Sequence, residues 1–236
     1  MKLKYSWKFF LFSLSTLTWI LFPLLSSAAE ETPQPAHPWQ FGVFAQGGFP
    51  PDYQIHVLDI HYSLDLYFLS AGIEIGKETR RYNGVHLLRG RGEVLSEILP
   101  FWMARYPGQI EVVHFGPDTT LSGYMKGETF HGASVTPLQL RWNFSQRDSA
   151  RVIPWAQMGC GILWTNHKFP GNYFTGGTSV FNFTPQVGAG VNIFNRPKHS
   201  IELGVKAIHI SNASLGDNNP GLNQTLQFSA GYSWWK

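Results

Sequence analysis

A histidine and a serine lie two residues apart near the carboxyl end of the chain, as His209 and Ser211. On a β-strand, residues two apart share one face and are separated by about 6.5–7 Å along the strand. An imidazole beside a hydroxyl is the smallest unit of an activated serine nucleophile, because the imidazole can take the hydroxyl proton. Whether this pair can act depends on the elements that hold it.

Alternation of apolar and polar residues runs through the region of this pair and through most of the chain. In the segment 199–211 the odd positions form an apolar face, made of Ile201, Leu203, Val205 and Ala207. His209 and Ser211 continue that face. Similar alternation occupies the segments 39–49, 65–77, 85–98, 132–145, 152–165, 178–194 and 226–234. This periodicity predicts an all-β fold, a small antiparallel up-and-down barrel of about eight strands.

Two features favour a transmembrane barrel over a soluble, lipocalin-like one. The polar faces are rich in Gly, Ser, Gln and Asn, which would make a poor dry core. Aromatic residues cluster near the strand ends, where interfacial girdles lie, at Trp39, Phe41, Phe101, Trp102, Trp234 and Trp235. In a transmembrane barrel His209 and Ser211 face lipid, where polar side chains are costly unless they are functional or paired. The lipocalin-like barrel stays open, because alternation alone does not say which face is inside.

The first 29 residues have the pattern of a secretory signal peptide. Basic residues precede an apolar run at 9–25, and small residues follow at 27–29. We therefore expect a signal peptide at 1–29, a flexible Pro-rich segment at 30–38 and an outer-membrane, multi-pass barrel at 39–236. A retained membrane anchor is the alternative for the apolar run.

Composition limits the function classes. With 15% aromatic and 14% charged residues among 236, the chain is too apolar to be disordered, and one cysteine excludes a disulfide scaffold. Removal of 1–29 would take away three lysines and leave 15 basic against 15 acidic residues, so nothing indicates nucleic acid as a partner. None of the nine histidines belongs to a metal-ligand motif, so we expect no metal site.

Two short motifs resemble those of the lipid A 3-O-deacylase (PagL-type) family, also called outer-membrane acyloxyacyl hydrolases. They are the residues 209–213 (His-Ile-Ser-Asn-Ala) and 219–223 (Asn-Pro-Gly-Leu-Asn), and the stretches 89–93 and 137–141 are similar as well. The resemblance implies an eight-stranded outer-membrane barrel with a Ser-His-Glu triad on its outer face. It also implies hydrolysis of the ester-linked 3-hydroxyacyl chain at position 3 of lipid A, without a cofactor.

The resemblance assigns roles to individual residues. Ser211 would be the nucleophile, His209 the general base, and Asn212 part of the oxyanion site. Two positions depart from the family pattern: Asn223 stands where the family has its acid, and Ser214 stands where it has a glycine of the oxyanion site. An amide can orient the histidine but only partly stabilises the imidazolium.

The third catalytic position poses a problem of geometry. Strict alternation in the last strand turns Asn223 away from the face of Leu226 and Phe228, so a bulge or an irregular strand start near Gly221 is needed. Asp217 is the nearest acid and is the alternative to Asn223.

Three hypotheses of function follow. The first is a serine esterase acting on lipid A or lipopolysaccharide among outer-membrane lipids. The second is a phospholipase resembling outer-membrane phospholipase A, which has an orienting Asn, and for which a homodimer and calcium would be expected. The third is a non-catalytic structural barrel.

Charged residues outside the site have two further interpretations. Glu74, Glu93 and Glu97, with nearby arginines, predict a charge network inside the barrel. Lys77, Arg80 and Arg81 form a basic cluster that is more typical of a solvated loop than of a lipid-phosphate site.

Overall fold

The computed structural model describes 39–49, 53–55, 60–62, 67–79, 82–115, 119–145, 150–168, 179–213 and 222–236. The expected signal peptide at 1–29 and the segment 30–38 lie outside these residues, and so do Ser214 and Asp217. The proposed domain boundaries therefore remain predictions.

The described chain consists almost entirely of strands. In chain order they are β1 Trp39–Phe49, β2 Tyr53–Ile55, β3 Ile60–Tyr62, β4 Tyr67–Glu78, β5 Gly90–Tyr106, β6 Gln109–Phe115, β7 Thr119–Met125, β8 Glu128–Phe144, β9 Val152–Thr165, β10 Phe181–Arg196, β11 His199–Ile210 and β12 Leu222–Trp235. A short 3₁₀ turn occupies His86–Leu88. Among the described residues, no helix is long and apolar enough to cross a membrane.

Eight of these strands close a barrel in the order β1-β12-β11-β10-β9-β8-β5-β4, with every neighbouring pair antiparallel. The predicted small antiparallel barrel of eight strands is confirmed. The remaining four strands form two hairpins, β2-β3 and β6-β7. They lie in connections for which the sequence predicts loops or short extra strands.

The two ends of the barrel differ. At one end, the terminal end, Trp39 and Lys236 exchange backbone hydrogen bonds of 3.1 and 2.8 Å, and a two-residue turn joins β10 to β11. At the other, the loop-bearing end, lie the three longest connections, two of which contain the extra hairpins. Outer-membrane barrels have short turns on the periplasmic side and longer loops on the extracellular side.

Alternation along the strands separates an apolar outer surface from the interior. Outward side chains include Val187 and Phe228, each 54% exposed, and Leu203, 44% exposed. Four of the six aromatic residues expected in girdles are outward and 42–44% exposed, namely Trp39, Phe41, Phe101 and Trp234. The girdle prediction is wrong for the other two, Trp102 and Trp235, which are buried inside the barrel. Their neighbours in sequence, Phe101 and Trp234, take the outward positions.

Charged side chains fill the middle of the barrel, which confirms the expected interior network. Arg141 on β8 is its centre, with ion pairs to Glu202 at 2.9 Å, Glu74 at 3.3 Å and Glu93 at 4.0 Å. Lys206 pairs with Glu97 at 2.6 Å. Burying these charges is tolerable because each has a partner of opposite charge within 4.0 Å.

The interior of the loop-bearing half contains large apolar side chains beside its polar ones. A buried cluster there contains Phe68, Leu99, Trp102, Ala104, Tyr106, Phe130, Leu163, Ile208 and Ile210. A smaller cluster of Ile153, Phe194 and Trp235 lies at the terminal end. The inward faces therefore carry the polar residues that the alternation predicts, and near the strand ends they also carry large apolar residues that it does not predict.

Candidate active site

His209 lies on the outer side of β11, one residue before that strand ends. Its neighbours Ile208 and Ile210 are buried in the interior apolar cluster, 6% and 1% exposed. Because alternate residues of a strand point to opposite faces, these two isoleucines fix His209 on the outward face. The imidazole is half-buried there.

Ser211 follows on the same side and is held by β10. It forms an antiparallel bridge with Phe183, whose N–H donates to the Ser211 carbonyl at 2.6 Å and whose carbonyl accepts from the Ser211 N–H at 3.1 Å. Residues directly opposite each other in an antiparallel pair share a face. Phe183 is an outward residue, 36% exposed, so Ser211 belongs to the outer wall, although it is itself only 8% exposed.

The backbone turns sharply just after Ser211. Asn212 is buried, and Ala213 has φ of 52°, in the left-handed region. Among the described residues Ala213 is the single non-glycine with positive φ. A side chain in this region costs about 1–2 kcal/mol, and such outliers cluster at functional sites.

A register shift in β12 lies directly opposite His209. Ile208 pairs with Thr225 and Ile210 pairs with Leu222, so two residues, Asn223 and Gln224, stand opposite the single residue His209. One strand carrying an extra residue is the pattern of a β-bulge. The alternation that holds from Leu226 onward therefore does not continue unbroken to Asn223, which is the irregularity that the sequence requires there. The role of Asn223 stays a prediction.

The site has an apolar setting on both sides of the wall. Outside it, β10 contributes Phe183 and the exposed Phe181 and Val187. Beneath it, Ile208 and Ile210 pack inside the barrel in the cluster of Trp102 and Phe130. The arrangement places an imidazole and a hydroxyl on the apolar outer surface, in the half of the barrel that carries the long loops.

The structure brings together His209, Ser211 and the backbone of Asn223, with Asn212 adjacent. It leaves Ser214 and Asp217 outside the described residues. The sequence did not identify Phe183 as a neighbour of Ser211, because only the β10–β11 register shows which odd position of 178–194 lies opposite. Within the described ranges, no three residues among His, Cys, Asp and Glu are grouped so as to hold a metal ion.

Comparison with known proteins gives one family. The family model described as lipid A 3-O-deacylase (PagL) matches residues 102–233, more than half of the chain, and its span includes His209, Ser211, Asn212 and Asn223. No curated protein matches the chain in sequence.

Several solved barrels are similar in architecture. The outer-membrane enzyme PagL is 17% identical, with 82% of this chain and 98% of that chain covered and a TM-score of 0.47. The outer-membrane protein OprG of Pseudomonas aeruginosa is 10% identical, with coverages of 87% and 100% and a TM-score of 0.45. The N-terminal barrel domain of OprF, from the same organism, is 13% identical, with coverages of 83% and 97% and a TM-score of 0.36.

Proposed function

Since the chain belongs to the lipid A 3-O-deacylase family, we propose that it is a serine esterase of the outer membrane that removes the ester-linked 3-hydroxyacyl chain at position 3 of lipid A. The observation that carries the proposal is the position of His209 and Ser211. Both lie on the apolar outer wall, near the loop-bearing end. In an outer-membrane barrel that end is extracellular, and lipid A forms the extracellular leaflet.

In the proposed mechanism His209 takes the proton of the Ser211 hydroxyl as its oxygen attacks the ester carbonyl. Backbone N–H groups in 212–214 donate to the oxyanion, each contributing about 3–4 kcal/mol by analogy with measured oxyanion holes. His209 then gives this proton to the sugar oxygen as its bond to the acyl carbon breaks, and water hydrolyses the ester between Ser211 and the acyl group to release the 3-hydroxy acid. The bulge in β12 supports Asn223 as the group that orients His209.

The mechanism makes Ser211 indispensable. We expect Ser211→Ala to lower the rate of deacylation at least about 10⁴-fold, since loss of a serine nucleophile has effects of that order or larger. The assay is mass spectrometry of purified lipid A incubated with the refolded barrel, following the loss of one 3-hydroxyacyl mass. Ser96→Ala is the matched control, because Ser96 is another outer-wall serine, whose hydroxyl donates to the Pro137 carbonyl at 2.7 Å.

The same preparation distinguishes the alternatives. Release of fatty acid from phosphatidylethanolamine, with lipid A left intact, would move the assignment to a phospholipase. Equal activity of Ser211→Ala and the wild type would contradict the mechanism, provided that both retain the heat-modifiable mobility of a folded barrel on gels.

A further inference from the structure

The connection between β4 and β5 exposes large apolar side chains at the terminal end of the barrel. Val85 is 70% exposed, Leu87 84% and Leu88 65%, which places them among the most exposed apolar residues of the described chain. Turns at this end of outer-membrane barrels are usually short and have no need of apolar side chains. Exposed apolar groups on an ordered segment mark an interaction surface.

Hydrogen bonds give this connection a defined shape. Asn83 and Gly90 exchange two backbone hydrogen bonds of 2.9 Å, and Leu88 N–H donates to the Val85 carbonyl at 3.1 Å. Gly84 has φ of 82°, a conformation that a glycine adopts without strain. The Tyr82 ring lies 4.7 Å from the Arg89 guanidinium and 4.9 Å from that of Arg91.

The connection is fastened to the outer wall rather than directed away from it. The indole N–H of Trp142 on β8 donates to the Leu88 carbonyl at 3.2 Å. Trp142 alternates with the buried Arg141 and Asn143, so it is an outward residue. The Leu88 backbone therefore lies beside the apolar band of the wall, to which Leu140, 54% exposed, belongs.

Cationic side chains accompany this apolar surface. Arg89 is exposed at the end of the connection. Lys77 is exposed at the same end of β4, and its ammonium lies 5.1 Å from the Trp39 ring. Apolar groups beside Lys or Arg at membrane depth are the composition of segments that lie in the interface of a bilayer with anionic headgroups.

We propose that the segment 82–89 is an interfacial anchor that inserts Val85, Leu87 and Leu88 into the leaflet at the terminal end of the barrel, with Arg89 and Lys77 at its anionic phospholipid headgroups. The anchor is separate from catalysis, since His209 and Ser211 lie toward the opposite end. It fixes the depth at which the barrel sits, and therefore the depth at which Ser211 meets the other leaflet.

The test uses a nitroxide spin label at Leu87→Cys in the full barrel, with Cys160→Ala because Cys160 is a free, exposed thiol. The matched control is Lys198→Cys, which places the label in the exposed two-residue turn at the same end. Both proteins are reconstituted in vesicles of phosphatidylethanolamine and phosphatidylglycerol. Collision with oxygen reports lipid exposure, and collision with a water-soluble nickel chelate reports water exposure.

We expect the label at 87 to collide readily with oxygen. We expect it to collide with the nickel chelate at least about five-fold less often than the label at 198 does, which corresponds to about 1 kcal/mol of partitioning. Equal nickel access at the two positions would overturn the proposal in favour of a solvated loop. Shielding from both reagents, with spin–spin broadening at high protein-to-lipid ratio, would overturn it in favour of a second copy. Equal depth in purely zwitterionic vesicles would overturn the assignment of anionic headgroups.

Discussion

At the scale of single residues, the site depends on how the backbone ends β11. His209 is held outward by the two buried isoleucines that flank it, and Ser211 by its bridge to Phe183. The alternation of the sequence is enough to place both on one face. It is not enough to place Asn223. The bulge opposite His209 depends on the pairing of β11 with β12, and no local sequence pattern specifies that pairing.

Asn223 can be tested by changing its charge. If it orients His209, Asn223→Glu should raise the turnover roughly tenfold or more, because a carboxylate stabilises the imidazolium that an amide only positions. Asn223→Leu should lower turnover by a similar factor. The measurement is the initial rate on lipid A at saturating substrate. If both variants matched the wild type, Asn223 would have no part in catalysis, and Asp217→Asn would be the next variant to assay.

Ala213 offers a prediction about stability. Because its φ of 52° is unfavourable for a side chain, Ala213→Gly should leave the free energy of unfolding unchanged or raise it by up to about 1 kcal/mol. Ala207→Gly, at a regular position of β11, should instead lower it by about 0.5–1 kcal/mol. Urea unfolding of the reconstituted barrel measures both. A larger loss for Ala213→Gly than for Ala207→Gly would show that the left-handed conformation is not strained.

At the scale of elements, strand pairing explains most of what the sequence predicts correctly and what it does not. The alternation in 178–194 and 199–211 identifies β10 to within three residues and β11 to within one residue at each end. The strand expected at 85–98 instead begins at Gly90, because Gly84 and the 3₁₀ turn at His86–Leu88 occupy the apolar residues before it. The apolar residues at 85 and 87 fit the alternation of a strand, but together with Leu88 they lie in the exposed connection that precedes β5.

Closure between β1 and β12 depends on close backbone approach at Gly48. A Cβ added there would overlap the Leu226 backbone carbonyl on the neighbouring strand. Gly48→Ala should therefore lower the free energy of unfolding by about 1–3 kcal/mol, as overpacking does. Gly47→Ala is the control, since its Cβ would lie 3.3 Å from the Phe68 carbonyl oxygen, a contact that a small shift relieves. Equal stability of the two variants, by urea unfolding, would contradict this account.

At the scale of the whole molecule, buried ion pairs inside the barrel connect strands that are distant in sequence. The sequence predicts that glutamates and arginines meet in the lumen, but not that Arg141 alone contacts three carboxylates contributed by β4, β5 and β11. The partners come together only when the sheet closes, so no local pattern specifies them. The family resemblance seen in two short motifs is confirmed by the match over 102–233.

Removing the central cation should be costly. We expect Arg141→Met to lower the free energy of unfolding by about 3–5 kcal/mol, because it leaves Glu74 and Glu202 buried without their cation. Arg105→Met, at an exposed outward position of β5, should change it by no more than about 0.5 kcal/mol. A small effect of Arg141→Met in urea unfolding would mean that the remaining groups or water stabilise the carboxylates.

The filled lumen has a kinetic consequence. Side chains occupy it through the described barrel, from Phe194 and Trp235 at one end, through Arg141, to Trp102 and Phe130 at the other. A lipid therefore cannot reach the outer wall through the lumen, and under the proposed function the substrate would arrive by diffusion in two dimensions within its own leaflet. The rate of such an enzyme follows the mole fraction of substrate in the surface, so diluting the leaflet with an inert amphiphile should slow it even when the total amounts of enzyme and substrate are unchanged.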